Sequence, residues 1–184
     1  GATGLVIGSG TEKDRKGRNS NSAFALAINR TANFGSNLLY RGVNNQSSYS
    51  HKFLEEINGV RDANAVAGNY PFGTSLAFNT YWIDTVAGGS SGNFQFQTRA
   101  PFGTGLIQEN VVESRGGITE LALAFAGASH DKWFMGFTLG VPFLRYDRTS
   151  TFTEADASTD NNNKFDYAVF TQNLETKGSC INLK

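Results

Sequence analysis

An all-β chain of antiparallel strands, with short helices confined to one connection, is what the sequence predicts, and three observations carry that expectation. Gly is 21 and Phe 15 of the 184 residues against only 3 Pro, with aromatics at 12%; together with abundant Ser, Thr and Asn this is the composition of strands joined by polar turns. Large apolar residues recur at every second position in separated segments, the period of a strand. In those segments the two faces differ by size and not by polarity: one is bulky and apolar, the other Ala, Gly and Thr.

Taken in chain order, Gly1 to Gly10 is apolar and Gly-rich, with no basic region before it and no cleavage pattern after it, so it does not read as an export signal. Thr11 to Arg18 is charged and reads as a solvated outer loop. Phe24, Leu26 and Ile28 then alternate with Ala23, Ala25, Ala27 and Asn29. Phe53, Leu54 and Ile57 fall at helical spacing behind Ser48 or Ser50 as cap, and Gly59 closes that helix. Asp62 to Ala67 reads as a second short helix capped by Asp62 and closed by Gly68, so an outer loop with helices is expected over about 44–69. Phe72, Thr74, Leu76, Phe78 and Trp82 alternate with Gly73, Ser75, Ala77 and Asn79, which predicts another strand, and Asn93 to Gln97 reads the same way.

Ile118 to Leu144 is the most informative segment. Leu121, Leu123 and Phe125 alternate with Glu120, Ala122, Ala124 and Ala126; after Ser129-His130-Asp131-Lys132, the residues Trp133, Met135, Phe137, Leu139, Val141 and Phe143 alternate with Phe134, Gly136, Thr138, Gly140 and Pro142. A β-hairpin follows. Arg145 to Thr153 continues it with increasingly polar faces, Glu154 to Lys164 reads as an exposed loop tip, and Phe165 to Lys184 returns antiparallel, with Gly178 as a bulge and Ile181 and Leu183 on the bulky face.

The nature of the two faces matters more than the alternation. In a soluble sandwich the outward face carries Lys, Glu, Gln and Thr. An antiparallel transmembrane β-barrel accounts for the split, because the bulky side chains meet lipid tails and the small ones line a lumen. Trp133 to Leu144 is long enough to span, with Trp133 and Phe134 at one end and Tyr146 at the other, where aromatic rings prefer the headgroup level. Short turns of such barrels face the periplasm and long loops the outside, which places Ser129 to Lys132 in the periplasm. The competing architecture is a two-layer sandwich whose Ala-rich face is covered by a further layer.

Charge and reactive residues exclude several functions. With 16 Lys and Arg against 16 Asp and Glu, the net charge is zero, and a nucleic-acid partner is not expected, since a phosphate backbone calls for clustered cations. One cysteine, Cys180, forbids an internal disulfide, and two histidines leave too few ligands for a Cys/His zinc cluster. Ala63 to Ile83 is uncharged for long enough to cross a bilayer but contains Pro71, Gly68, Gly73, Asn69 and Asn79, so it is no membrane helix. Gly88-Gly89-Ser90-Ser91-Gly92 has the spacing of a hydrolase nucleophile, yet no helix follows it. Gly8-Ser9-Gly10 lacks the third glycine and the helix of a dinucleotide site. His130 and Asp131 sit in a turn; Glu55 and Glu56 point apart on one helix; Glu109 and Glu113 read as surface. His51 is weighed as a haem ligand and read as a solvated loop residue. No catalytic residue, metal or cofactor is expected, and the chain is not expected to be an enzyme. The apolar side of the loop helix, Phe53, Leu54 and Ile57, is the candidate ligand-binding surface, packing either on other loops or on a greasy ligand.

Tyr40-Arg41-Gly42-Val43-Asn44-Asn45, Phe53-Leu54-Glu55-Glu56-Ile57, Tyr70 to Phe78 and Gly178-Ser179-Cys180-Ile181-Asn182-Leu183-Lys184 resemble phrases of the FadL/TodX outer-membrane transport proteins. That resemblance implies a fourteen-stranded barrel closed by an N-terminal hatch, with passive uptake of hydrophobic compounds such as long-chain fatty acids. It implies capture among outer loop helices, to which Phe53, Leu54 and Ile57 correspond, and a bacterial outer-membrane location. The chain shows no hatch-like segment, Cys180 replaces the more usual Gly, and 184 residues are too few for such a barrel. A single partial barrel domain over 1–184 is therefore expected, completed by remaining strands of the same barrel or by another chain. The other functions the sequence allows are a soluble β-rich ligand-binding or adhesion module and a barrel with a structural or secretion-partner role that transports nothing.

Overall fold

In a computed structural model of the chain, residues 1–11, 20–86, 93–130, 132–158 and 164–184 are described. They form two compact units, one of residues 1–37, 112–149 and 173–184 and one of residues 38–111 and 150–172. In chain order the elements are β1 (Ala2–Thr11), β2 (Ser20–Asn33), β3 (Ser36–Asn44), α1 (His51–Glu56), α2 (Ala63–Asn69), α3 (Thr74–Asn79), β4 (Ile83–Thr85), β5 (Phe96–Thr98), β6 (Leu106–Ser129), β7 (Trp133–Asp156), β8 (Tyr167–Ser179) and β9 (Asn182–Leu183). Seven strands make one sheet in the order β1-β2-β6-β7-β8, with β3 also on β6 and β9 on β7; β4 and β5 pair separately. The class is mostly antiparallel β, as the alternation predicts. Among the described residues the sheet does not close into a barrel, and β1 and β8 end the strand order.

Register shows what the alternation is for. In the first unit Ile7 lies opposite Phe24 and Phe24 opposite Phe125; Leu5 opposite Leu26 and Leu26 opposite Leu123; Thr3 opposite Ile28 and Ile28 opposite Leu121. One row along, on the other face, Gly8 meets Ala23 and Ala126, Val6 meets Ala25 and Ala124, and Gly4 meets Ala27 and Ala122. Bulky rows thus stack on bulky rows and small on small across three strands, since cross-strand partners share a face. The bulky face is bare: Phe125 is 54% and Phe137 51% exposed. The expected hairpin is β6 and β7, closed by the Lys132 N–H donating to the Ser129 carbonyl at 3.2 Å.

Three expectations for this unit need correction. Gly178 is not a bulge: Leu139 faces Leu183, Thr149 Oγ1 bonds Asn173 Oδ1 at 3.0 Å and Thr151 meets Thr171, equal steps on both strands that leave no residue inserted. The sheet pattern is instead interrupted at Cys180 and Ile181, between β8 and β9. Tyr146, expected at the headgroup level at the end of the span opposite Trp133 and Phe134, does not stand on the bulky face. Alternation through Arg145 turns it to the opposite face, where it meets Phe34 edge-on at 5.7 Å and lies 3.4 Å from Ser114 Oγ. Nor can Thr11 to Arg18 be an outer loop while Ser129 to Lys132 is periplasmic. Thr11 pairs with Ser20 and Ser20 with Ser129, so both connections leave the same end of the sheet; residues 12–18 themselves lie outside the described residues.

The second unit is organised around an ordinary apolar core of Phe53, Ile57, Val66, Ala77, Trp82, Ile83, Ala100 and Leu106. Helices α1 and α2 fall where the sequence places them, and the Asp62 carboxylate caps α2 by accepting from the Asn64 N–H at 2.9 Å. Gly59 has φ of 86°, which only glycine adopts without strain, in the turn after α1. Gly68, however, lies inside α2, which continues to Asn69. The strand expected at Phe72 to Trp82 is helix α3. Phe72 and Leu76, four apart, are exposed while Thr74 and Ala77 are buried, so a helical period underlies what also reads as alternation. Local hydrogen bonds favour the helix: Ala77 N–H to the Gly73 carbonyl at 2.9 Å, Tyr70 N–H to Ser75 Oγ, and Ser75 Oγ to the Val66 carbonyl at 2.7 Å. The strand expected over Asn93 to Gln97 is β5, shorter and shifted to Phe96–Thr98, paired to β4. No helix of the described residues is long and apolar enough to cross a membrane.

Candidate functional site

The side chains of interest belong to the second unit, and the sequence of α1 begins them. Ser50 precedes the helix without a side-chain cap bond; its own N–H instead donates to Ser48 Oγ at 3.1 Å. This places Tyr49 between the two buried serines. Its ring stacks on Phe152 at 4.5 Å and approaches Trp82 at 5.9 Å and Phe170 at 5.7 Å. Phe53, one helical turn on, meets Trp82 and Phe170 edge-on at 5.6 and 5.5 Å. Such contacts add about 0.5–1.5 kcal/mol each beyond area burial, so the aromatic group is a rigid platform.

Beneath it Glu154 is fully buried, which corrects the expected loop tip at Glu154 to Lys164: β7 continues through Asp156. Four donors meet the carboxylate. Ser48 Oγ (2.6 Å) and Trp82 Nε1 (3.1 Å) reach Oε2, while the Tyr49 N–H (3.0 Å) and Gln108 Nε2 (2.6 Å) reach Oε1. A buried charge is tolerable only when its acceptor positions are filled in this way. Glu154 therefore acts as a pin through which α1's entry, the α3–β4 junction, β6 and β7 are tied together.

Phe53, Leu54 and Ile57, the sequence-derived candidates, separate around α1. Phe53 and Ile57 are each 2% exposed and belong to the core, with Leu54 packed against it. Phe53 forms one wall of an open groove of about 490 Å³, whose other walls are Phe72, Gly73, Phe170, Lys52, Glu55 and Glu56. Leu54 and Ile57 border a different, more polar hollow of about 280 Å³ beside Arg61 and Gln95. Phe72, 91% exposed, and Phe170 are the groove residues that sequence reasoning missed. The spacing of Phe72 to Leu76 was the available signal for Phe72. At one rim Lys52 Nζ lies over the Tyr49 ring, 5.5 Å from its centre. Glu56 is engaged by the Thr74 hydroxyl. Phe53, Phe72 and Phe170 give the trough an apolar wall suited to the tail of an amphiphile, while Lys52, Glu55 and Glu56 line it with charges of both signs.

Other sequence candidates have structural roles. His51 Nδ1 accepts from the Ser48 N–H at 3.3 Å and its ring meets Phe102 at 5.0 Å. Glu109 pairs with Arg41 at 3.7 Å and Glu113 with Arg115 at 3.6 Å. Gly8-Ser9-Gly10 is part of β1. Gly88 to Gly92 lies outside the described residues, as do Asp131 and the loop residues Asp160 to Asn163. Among the described residues no three or more His, Cys, Asp or Glu side chains gather to hold a metal. No protein-family model, curated protein or solved structure significantly matches the chain.

Proposed function

We propose that the chain is part of an outer-membrane β-barrel of the FadL/TodX type that passes hydrophobic compounds, such as long-chain fatty acids, without covalent chemistry. The observation that carries this reading is the register of the first unit, which aligns Ile7, Phe24 and Phe125 on one bare face and Gly8, Ala23 and Ala126 behind them. An apolar surface extending over five strands exceeds what a soluble monomer exposes. Along β7 it runs from Trp133 to Phe143, roughly 33 Å of strand at about 3.3 Å per residue, or about 25 Å of height at a barrel's ~40° tilt. The small-residue face leaves space for a lumen. Lipid cannot satisfy the open edges at β1 and β8, so further strands complete the wall.

In this reading the groove beside α1 captures the ligand's tail against Phe72, Phe53 and Phe170. Binding of a fluorescent long-chain fatty acid by the detergent-solubilised protein tests it. Saturable binding weakened about tenfold by Phe72→Asp, with unchanged helix and sheet content, is the expected result. Binding indifferent to Phe72→Asp overturns the groove's role. The core within the second unit favours a different reading, a soluble ligand-binding module; a chain that stays monomeric in detergent-free buffer would establish that and end the membrane proposal.

A further inference from the structure

The bulky face of the first unit changes character at one level. On β2, Ile28 is followed on that face by Arg30; on β7, Phe143 is followed by Arg145. Read toward the same level, β6 passes from Leu121 through Thr119 and Gly117 to Arg115, and the β9–β8 stretch from Leu183 and Ile181 through Ser179 to Lys177. On each of these four rows the first charge beyond the apolar stretch is a cation. The acids come one step farther out: Glu113 bonds Arg115 at 3.6 Å, Asp147 bonds Arg145 at 2.8 Å, and Glu175 bonds Lys177.

Contacts between the strands fix the common level. Arg30 Nη2 donates to the Gly116 carbonyl at 2.9 Å, which ties the β2 cation to the residue next to Arg115. Gly116, with φ of 124°, lies so close to the Arg145 carbonyl that no side chain would fit between them. Glu175 is near enough to act on Arg145, whose pKa the Asp147 hydrogen bond raises foremost, with Glu175 adding to the shift. The Arg145 guanidinium thus remains charged at any working pH. Ser114 faces Tyr146 on the half-buried side, so Arg115 and Arg145 share the outward one. Toward the opposite end of the apolar stretch stand Trp133 and Phe134, both exposed.

We propose that Arg30, Arg115, Arg145 and Lys177 form a phosphate-binding row that docks the chain to the phosphate-bearing headgroups of one bilayer leaflet. The inference rests on the membrane reading above and adds to it a chemical partner. Headgroup phosphates lie just outside the hydrocarbon, the level at which cations directly follow the apolar residues. Long Lys and Arg stems lie along apolar surface while their heads reach the polar layer, and a guanidinium can grip a phosphate through two N–H donors at once. Acids placed nearest the hydrocarbon would repel phosphate; placed one step outward, they orient the cations.

Flotation of the full chain with vesicles tests the row. Phosphatidylglycerol vesicles supply phosphate, and digalactosyldiacylglycerol vesicles supply a bilayer without it. Each exposed cation near an anionic surface contributes roughly fivefold, offset by its acid, so an overall preference of about tenfold for the phosphate lipid is expected, fading as salt is raised. Arg115→Gln/Arg145→Gln/Lys177→Gln should abolish most of that preference and leave galactolipid binding as it was. Arg30 is left in place because it braces Gly116. Should the triple variant not fold, Arg115→Gln alone, at the most exposed of the three salt-bridged cations, should weaken the preference about twofold. Equal flotation of the unmodified chain with both lipids, or a preference the variants leave intact, overturns the phosphate row while the membrane reading stands. Flotation with neither vesicle overturns the membrane reading itself.

Discussion

The two units use the same kinds of residue in opposite ways. In residues 38–111 and 150–172, Phe53, Trp82, Ile83 and Leu106 are buried and Phe152 and Phe170 pack on them, and the charge in their midst, Glu154, has its acceptors filled. In residues 1–37, 112–149 and 173–184, Ile7, Phe24, Phe125 and Phe137 are bare while the small residues stand behind. One unit carries an interior of its own. The other turns its bulky apolar rows outward. Burying one large apolar side chain is worth about 1.5–3 kcal/mol, so leaving whole rows of them in water is a cost that a bilayer removes.

The largest effect is expected from removing the Glu154 pin of the second unit. Glu154→Ala strands the Trp82 indole N–H and the Tyr49 N–H without an acceptor, while the Gln108 amide keeps only the Ser47 carbonyl. A loss on the order of 4 kcal/mol is expected, since each buried unsatisfied donor costs about 1–3 kcal/mol. Glu154→Gln keeps one acceptor oxygen and should lose about half as much. Denaturant unfolding in detergent, followed by tryptophan fluorescence in a Trp133→Phe background so that Trp82 alone reports, reads this directly. Equal stability of Glu154→Ala and the unmodified chain would mean that the buried network does not hold the unit together.

A matched pair of truncations probes both units at once. Phe53→Ala opens a cavity among Trp82, Phe170 and Gly73 and should cost about 3 kcal/mol in the same unfolding experiment. Phe125→Ala removes a ring that touches no filled interior, so in detergent it should change stability by no more than about 0.5 kcal/mol. If the two losses prove equal, Phe125 is covered by something as closely packed as a core, and the outward reading of its face fails.

How much of this the sequence disclosed follows from which signals are local. The β6–β7 hairpin and the Phe24 to Ile28 strand are legible because a period of two needs only neighbours, and the register then aligns what the alternation already separated. Asp62 and Gly59 announce a cap and a turn by residue type. Helix α3 is hidden because Phe72, Thr74, Leu76 and Phe78 satisfy a strand's period, while the Phe72–Leu76 and Thr74–Phe78 pairs also satisfy a helix's. Glu154 is illegible for a different reason: its donors come from Ser48, Tyr49, Trp82 and Gln108, and no local pattern distinguishes an acid that will meet them from one in a loop. Phe53, Leu54 and Ile57 show the same limit within the candidate site. Their spacing predicts an apolar helix side, but which of them reaches the groove depends on Phe72, Gly73 and Phe170.

The smallest expected effect concerns how α3 ends. Its last turn closes with the Tyr81 N–H on the Phe78 carbonyl at 3.1 Å and the Trp82 N–H on the Ala77 carbonyl at 2.8 Å, the paired bonds of a Schellman cap. Glycine usually occupies the left-handed position of that cap; here Tyr81 does, at φ of 60°. Its Cβ crowds the following carbonyl, a strain of about 1–2 kcal/mol for an L-residue, and its ring is largely exposed, so little packing compensates. Tyr81→Gly should therefore stabilise the unit by about 1 kcal/mol, part of the relief being offset by the greater freedom glycine brings to the unfolded chain. Tyr81→Ala keeps the Cβ and should gain nothing. Thermal melts of the two variants separate backbone strain from loss of the ring: a gain shared equally by both would assign it to the ring, and the cap would then be unstrained.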